Sequence, residues 1–274
     1  MSLTSFLEIP DVRAKFKMEF KKPDFSIKRQ LLAPLILQGH SRLIGTSFDY
    51  LQRFYTQYLN PQAQEDEGGW VAERAVKMLK RRGENSLYDL GNAAVIEARE
   101  NYQQFLRTGE FTDDLIRSAL LLAKIDPLTR RSDYIVENLE SIDNEDIADL
   151  RNLINIVEPN VFRTQGRVLL NPDFGPGSLL VKGADADLIL DDCLIDIKTT
   201  QKFTLERKSF DQLLGYYTLS VIERRFDPDI EPINELGVYF ARHACLFKFE
   251  VKEVINPKTF PQFLIWFEKR AQEI

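Results

Sequence analysis

The stretch KGADADLILDDCLIDIKTT, residues 182–200, sets five aspartates and two lysines among leucine, isoleucine and alanine. Strand side chains alternate faces, so the segment divides cleanly if ADLIL and CLIDIK are paired strands. Ala184, Ala186, Leu188 and Leu190 then share a face with Cys193, Ile195 and Ile197, and that face is expected to be core. The other face carries Asp185, Asp187 and Ile189, then Leu194, Asp196 and Lys198. An antiparallel turn centred on Asp191 and Asp192 sets Asp187 opposite Asp196 and Asp185 opposite Lys198. Opposed carboxylates destabilise a hairpin and raise each other's pKa unless a cation shares them. A hard divalent ion such as Mg²⁺ suits one or two carboxylates and takes phosphate oxygens at its remaining positions. Lys198 is placed to steer or activate a water there, or to stabilise negative charge on phosphorus. The plainer alternative is a polar outer face with an Asp185–Lys198 ion pair, and a one-residue slip in register would reverse every assignment.

These strands belong to the second of two contrasting halves. From about 44 to 157 apolar residues recur at helical spacing, first as Ile44, Phe48, Leu51, Phe54, Tyr55 and Tyr58, then as Val71, Ala75, Met78 and Leu79. Further helical runs cover 86–106, 112–125 and 144–156. After 160 strand patterns take over in RVLLN, SLLVKG, ADLIL and CLIDIK. A helix is expected over 205–225, a strand pair over 236–241 and 245–251 turning at Arg242 and His243, and a last helix over 258–272. The expected class is α/β: a mixed β-sheet core flanked by helices in 161–274, with a mainly helical region in 1–160 that contributes to the same fold.

The bulk composition narrows the chemistry. The chain has 274 residues, 44% hydrophobic and 28% charged, enough for a sizeable core. No apolar run approaches a membrane span and the start lacks a signal-peptide pattern, so a cytoplasmic protein without a membrane partner is expected. Cys193 and Cys245 are the only cysteines and match no metal spacing, which leaves them as buried thiols and excludes a four-cysteine iron–sulfur cluster. Net charge is −6, but the first sixty residues hold nine Lys/Arg against five Asp/Glu, while 137–149 is strongly acidic. His40 and His243 are the only histidines; no nucleophile motif accompanies either, and His243 is expected at the surface. Nucleotide-binding glycine motifs and HExxH are absent.

The charged hairpin resembles the PD-(D/E)XK nucleases, in particular their RecB-like exonuclease branch. Asp187-Leu-Ile-Leu looks like the first acidic element, and Asp196-Ile197-Lys198 like the D-x-K strand. Gln212-Leu-Leu-Gly-Tyr216 stands where the branch has a Gln and a Tyr on the following helix, flanking a core stripe of Phe210, Leu213, Leu214, Tyr217 and Val221. Gly45-Thr-Ser-Phe-Asp49 has the spacing of an upstream Gly-x-x-x-His, with Asp49 in place of the His. Asp49 is therefore either a further metal ligand or an ordinary acid in the first turn of a helix.

The resemblance implies a restriction-endonuclease-like core and a Mg²⁺- or Mn²⁺-dependent nuclease, exonuclease-like and acting on DNA. Asp187, Asp196 and the Ile197 carbonyl would hold the metal, with Asp49 as a possible addition. Lys198 would position or deprotonate water, and Gln212 and Tyr216 would orient the substrate or Lys198. Arg42, Arg53, Lys182, Lys202, Arg207 and Lys208 are candidate phosphate contacts. Asp185 stays open, as a second ligand or the partner of Lys198. The competing expectations are a nucleic-acid-binding or scaffold protein that keeps the fold without cleaving, and a metal-free hydrolase with Asp187 as base.

Overall fold

The structure is a computed structural model that describes residues 2–65, 68–129 and 138–273. Helices dominate the first part: α1 (Leu3–Leu7), α2 (Pro10–Glu19), α3 (Ser41–Leu59), α4 (Val71–Arg82), α5 (Asn85–Thr108), α6 (Asp113–Ile125), α7 (Asn144–Asn155) and α8 (Pro159–Phe162). Gly83 and Gly109 end α4 and α5 in the left-handed conformation, at φ 75° and 70°, as glycine C-caps commonly do. One strand, β1 (Gln64–Glu65), interrupts the series. The second part runs β2 (Val168–Leu170), α9 (Pro176–Leu180), β3 (Leu188–Leu190), β4 (Cys193–Lys198), α10 (Arg207–Phe226), β5 (Glu235–Phe240), β6 (Cys245–Glu250), α11 (Val251–Val254) and α12 (Phe260–Gln272).

The fold is α/β, with a mixed six-stranded open sheet in the order β1-β2-β3-β4-β5-β6. β2, β3 and β4 form an antiparallel meander, α10 carries the chain over to β5 parallel with β4, and β6 returns antiparallel. Both faces of the sheet are buried, as expected where a helical crossover covers it. One core holds Leu188, Leu190, Cys193, Ile195 and Tyr239 against α3 to α7. The other holds Ile189, Leu194, Val238 and Phe240 against α1, α2, α10 and α12.

The register within the hairpin follows the strand alternation, with Leu188 opposite Ile195, Ile189 opposite Leu194 and Leu190 opposite Cys193. Three expectations need correcting. Ala184 and Ala186 join the core on the Ile189 side rather than the Leu188 side. The regular strand starts only at Leu188; the segment before it forms the isolated bridge Asp173–Asp185 and separate hydrogen bonds at Ala186 and Asp187 instead of a continuous ladder, so alternation cannot be extended back through it. SLLVKG is not a strand. Pro176 opens α9 at its first turn, and Gly177 lets that helix approach α10 so closely that a Cβ would stand 2.6 Å from the Leu219 carbonyl oxygen. His243 is buried: the turn Ala241–His243 folds inward, with Phe203 and Phe240 against the imidazole.

A buried ion pair ties the helical half to the sheet. The Arg242 guanidinium donates to both oxygens of Asp149 in α7, at 2.7 and 3.1 Å. It also donates to the carbonyls of Ala33 and Thr199, each at 2.8 Å. Asp149 in turn accepts the Ile36 amide at 3.2 Å. The segment before α3, α7 and the end of β4 are thereby fixed to one another, at the end of the sheet where Lys198 emerges.

Candidate active site

Asp196 and Lys198 share the face of β4 that packs under α10, because residues two apart on a strand point the same way. Asp196 is 2% exposed. The Lys198 ammonium donates to its Oδ1 at 2.9 Å and lies 2.8 Å from Oδ2, out of hydrogen-bonding alignment with the latter. Lys198 also donates to Gln212 Oε1 at 3.2 Å, and the Gln212 amide donates to the Tyr216 hydroxyl at 3.0 Å. α10 thus delivers Gln212 and Tyr216 one turn apart to a strand residue. Tyr216 does not merely flank the core stripe: it is 6% exposed and packed within the core, with only its hydroxyl reaching the polar chain.

Asp187 stands just before β3. Its Oδ2 accepts the Ile197 amide at 2.6 Å, which holds it against the D-x-K strand, while its carbonyl accepts the Asn171 amide at 3.0 Å. Burial, then the charges of Asp49 and Asp196, push its carboxyl up to about 8. Burial also raises Asp196, against the opposing pull of Lys198. For Lys198, burial works against the ammonium, but Asp196 and Asp187 outweigh it and the net shift is upward.

Asp49 arrives from the opposite layer. α3 begins at Ser41, a turn ahead of Gly45, so Asp49 lies well past the first turn and does not serve the helix dipole. Close packing of α3 on the end of β4 brings it in: a Cβ on Gly45 would lie 3.0 Å from Thr199 Oγ1. Asp49 Oδ2 accepts from Arg53 Nη2 at 2.9 Å, while its Oδ1 is buried with no hydrogen-bond partner.

Asp185 is not opposite Lys198. Its carboxylate lies 3.9 Å from the Arg74 guanidinium, and Lys198 has taken Asp196 instead. The candidate phosphate contacts divide. Arg53 is engaged with Asp49, Arg207 with Asp211 and the Phe20 carbonyl, and Lys208 with Glu8. Lys182 takes a left-handed φ of 60°, and Arg42 and Lys202 are exposed.

The donor set suits a small hard cation. Three carboxylates from two layers face one end of the sheet, two of their oxygens, Asp49 Oδ1 and Asp196 Oδ2, are buried without a hydrogen bond, and the negative charge is poorly solvated. Among the described residues Asp49, Asp187 and Asp196 do not all come within 4.8 Å of one another, whereas His40, Asp143 and Asp146 do. In that second group His40 Nδ1 lies 3.0 Å from both oxygens of Asp146. Sequence reading singled out neither this grouping nor Arg53 as the partner of Asp49, though the four-residue spacing of Asp49 and Arg53 on one helix was a usable signal for the latter. No described helix is long and apolar enough to cross a membrane. No family model, curated protein or solved structure matches the chain.

Proposed function

We propose that the chain is a divalent-metal-dependent phosphodiesterase, a nuclease with a restriction-endonuclease-like core and DNA as the expected substrate. The observation that carries this reading is the buried carboxylate group at the start of β3 and the end of β4, in which burial and the charges of Asp49 and Asp196 push Asp187 up to about 8 and Asp49 Oδ1 and Asp196 Oδ2 have no hydrogen bond. Such crowding is costly without a counter-ion and is relieved by one. Asp187, Asp196, the Ile197 carbonyl and Asp49 are the residues that would hold Mg²⁺ or Mn²⁺. When bound, such an ion supplies Lewis acidity toward a phosphoryl oxygen and lowers the pKa of water.

The chain's own groups supply the rest. Lys198 is a donor in both of its contacts, to Asp196 and to Gln212 Oε1, so it acts as a cation aimed at developing negative charge rather than as a proton acceptor. Gln212 fixes the lysine from the helix side, and Tyr216 fixes Gln212. Arg42, Lys182, Lys202 and Lys208 are the candidate phosphate contacts that lie exposed at the surface, Lys208 in a pair with Glu8.

The test is degradation of linear single- and double-stranded DNA and RNA in Mg²⁺ or Mn²⁺ by wild type and Asp187→Asn. Metal-dependent cleavage lost in the variant supports the reading. Cleavage that survives EDTA points to metal-free hydrolysis, and no cleavage of any polymer leaves a nucleic-acid-binding or scaffold role.

A further inference from the structure

Helix α4 carries five cations, Arg74, Lys77, Lys80, Arg81 and Arg82, and a single acid, Glu73, in a chain whose net charge is −6. That acid is already engaged, accepting from Arg99 at 2.8 Å and from the Trp70 amide at 3.0 Å. The core face of the helix is Val71, Ala72, Ala75, Val76 and Leu79. At about 100° per residue, Arg74, Lys77 and Arg81 fall together on the opposite side. Lys77 and Arg81 are exposed, and neither makes an ion pair among the described residues.

The helix dipole accounts for cations in the last turn, where Lys80, Arg81 and Arg82 stand, but not for Arg74 and Lys77. Like charges three and four residues apart on one helix repel, so the stripe Arg74–Lys77–Arg81 weakens the helix it sits on. A row of anions laid along it relieves that repulsion.

The stripe starts beside the carboxylates. The Ala72 amide donates to the Tyr50 hydroxyl at 3.2 Å, and the Tyr50 ring lies under the Arg53 guanidinium that holds Asp49. Arg74 lies 3.9 Å from Asp185, two residues before Asp187. From Arg74 to Arg81 the helix rises about 10 Å, the axial length of about three phosphates on one strand of duplex DNA.

Resting on the nuclease reading above, we infer that the outward face of α4 is a backbone track, on which Arg74, Lys77 and Arg81 hold successive phosphates of a DNA strand leading to the carboxylates. Contacts of this kind set affinity and register without reading sequence.

The experiment measures binding of fluorescein-labelled DNA to the full chain in EDTA, by fluorescence anisotropy between about 50 and 200 mM salt. Lys77→Gln with Arg81→Gln is expected to weaken binding at least about tenfold at 0.1 M salt and to flatten the plot of log affinity against log salt by about 1.8 with a duplex, or about 1.4 with a single strand. Lys17→Gln with Lys21→Gln removes the same charge from exposed positions in and just after α2, in the other layer, and should leave the slope unchanged. An unchanged slope in the α4 variant, or an equal loss in the α2 variant, overturns the inference, as does a wild type that binds no DNA. If the double variant does not fold, each single variant decides, with an expected flattening of about 0.9 on a duplex. DNA binding that depends on α4 without any cleavage in Mn²⁺ upholds the track and fails the nuclease reading, whereas cleavage with a slope indifferent to α4 upholds that reading and fails the track.

Discussion

Lys198 reaches back along its own strand to Asp196, two residues earlier, and holds both carboxylate oxygens within 2.9 Å while α10 covers the pair. Removing the ammonium strands a carboxylate that is 2% exposed. Lys198→Met is therefore expected to destabilise the metal-free protein by up to about 3 kcal/mol at pH 8, the scale of a broken buried pair. The loss should be smaller at pH 5, where Asp196 can take a proton instead. Urea denaturation at the two pH values checks this. In Mn²⁺ the same variant should lose at least about a hundredfold in DNA turnover, the scale of a missing charge-stabilising donor.

Asp187 gives a pH signature of known sign. Its folded pKa of about 8 lies above the ordinary carboxylate value near 4, so the folded state binds the extra proton between those limits. Its contribution to stability is fully present below about pH 4 and is lost as pH rises through about 8. Metal-free protein should accordingly lose stability across that window. Asp187→Asn, which keeps an oxygen for the Ile197 amide, should flatten the profile and raise the melting temperature at pH 8 by a few degrees, roughly what 1 kcal/mol does in a domain of this size. Saturating Mn²⁺ should flatten the wild-type profile too, because the ion replaces the proton. Melting curves from pH 4 to 9, with and without Mn²⁺, test all three expectations.

The part of the site built on regular strand was legible in the sequence. Alternation sorted Leu188, Leu190, Cys193 and Ile195 to one core and fixed their register, because a period of two leaves a strand little freedom once both faces are buried. The same rule failed at Ala184 and Ala186, where the chain is not yet a strand. Leu-Leu-Val in SLLVKG is apolar enough for strand or helix, and Pro176 and Gly177 decided for the helix through its first turn and its close approach to α10. α1 and α2 went unread, although Ser2 and Ser5 form a capping box, Pro10 sits at a helix start, and Val12, Phe16 and Phe20 recur every four residues. Asp49 could be suspected from spacing, but its approach to Asp187 depends on how α3 packs across β4, which no local pattern encodes.

Gln212 and Tyr216 should separate in mutagenesis. Gln212→Ala removes the acceptor that holds Lys198 from the helix side, and is expected to cut turnover about tenfold or more with little change in melting temperature. Tyr216→Phe keeps the ring and loses only the contact to Gln212, so turnover should fall less than for Gln212→Ala. Tyr216→Ala instead empties a core position and should cost about 3–5 kcal/mol. Turnover and urea midpoints measured side by side for the three variants resolve the orienting role from the packing role.

Arg242 and Asp149 provide the test of how the two halves are joined. Both side chains are 1% exposed, and between them they collect the Ala33 and Thr199 carbonyls and the Ile36 amide, so the pair has few unmet hydrogen bonds. Breaking it from one side leaves an uncompensated buried charge, and Asp149→Asn or Arg242→Met should each cost about 3–5 kcal/mol. Because each single change removes the same contact, the double variant should lose much less than the sum of the two. The Thr199 carbonyl is one residue past Lys198, so Arg242→Met should also weaken Mn²⁺ binding in proportion to how far the end of β4 loosens. Urea midpoints for the cycle, with Mn²⁺ titrations of each folded variant, would show additive losses and unchanged metal affinity if the pair were only filling space.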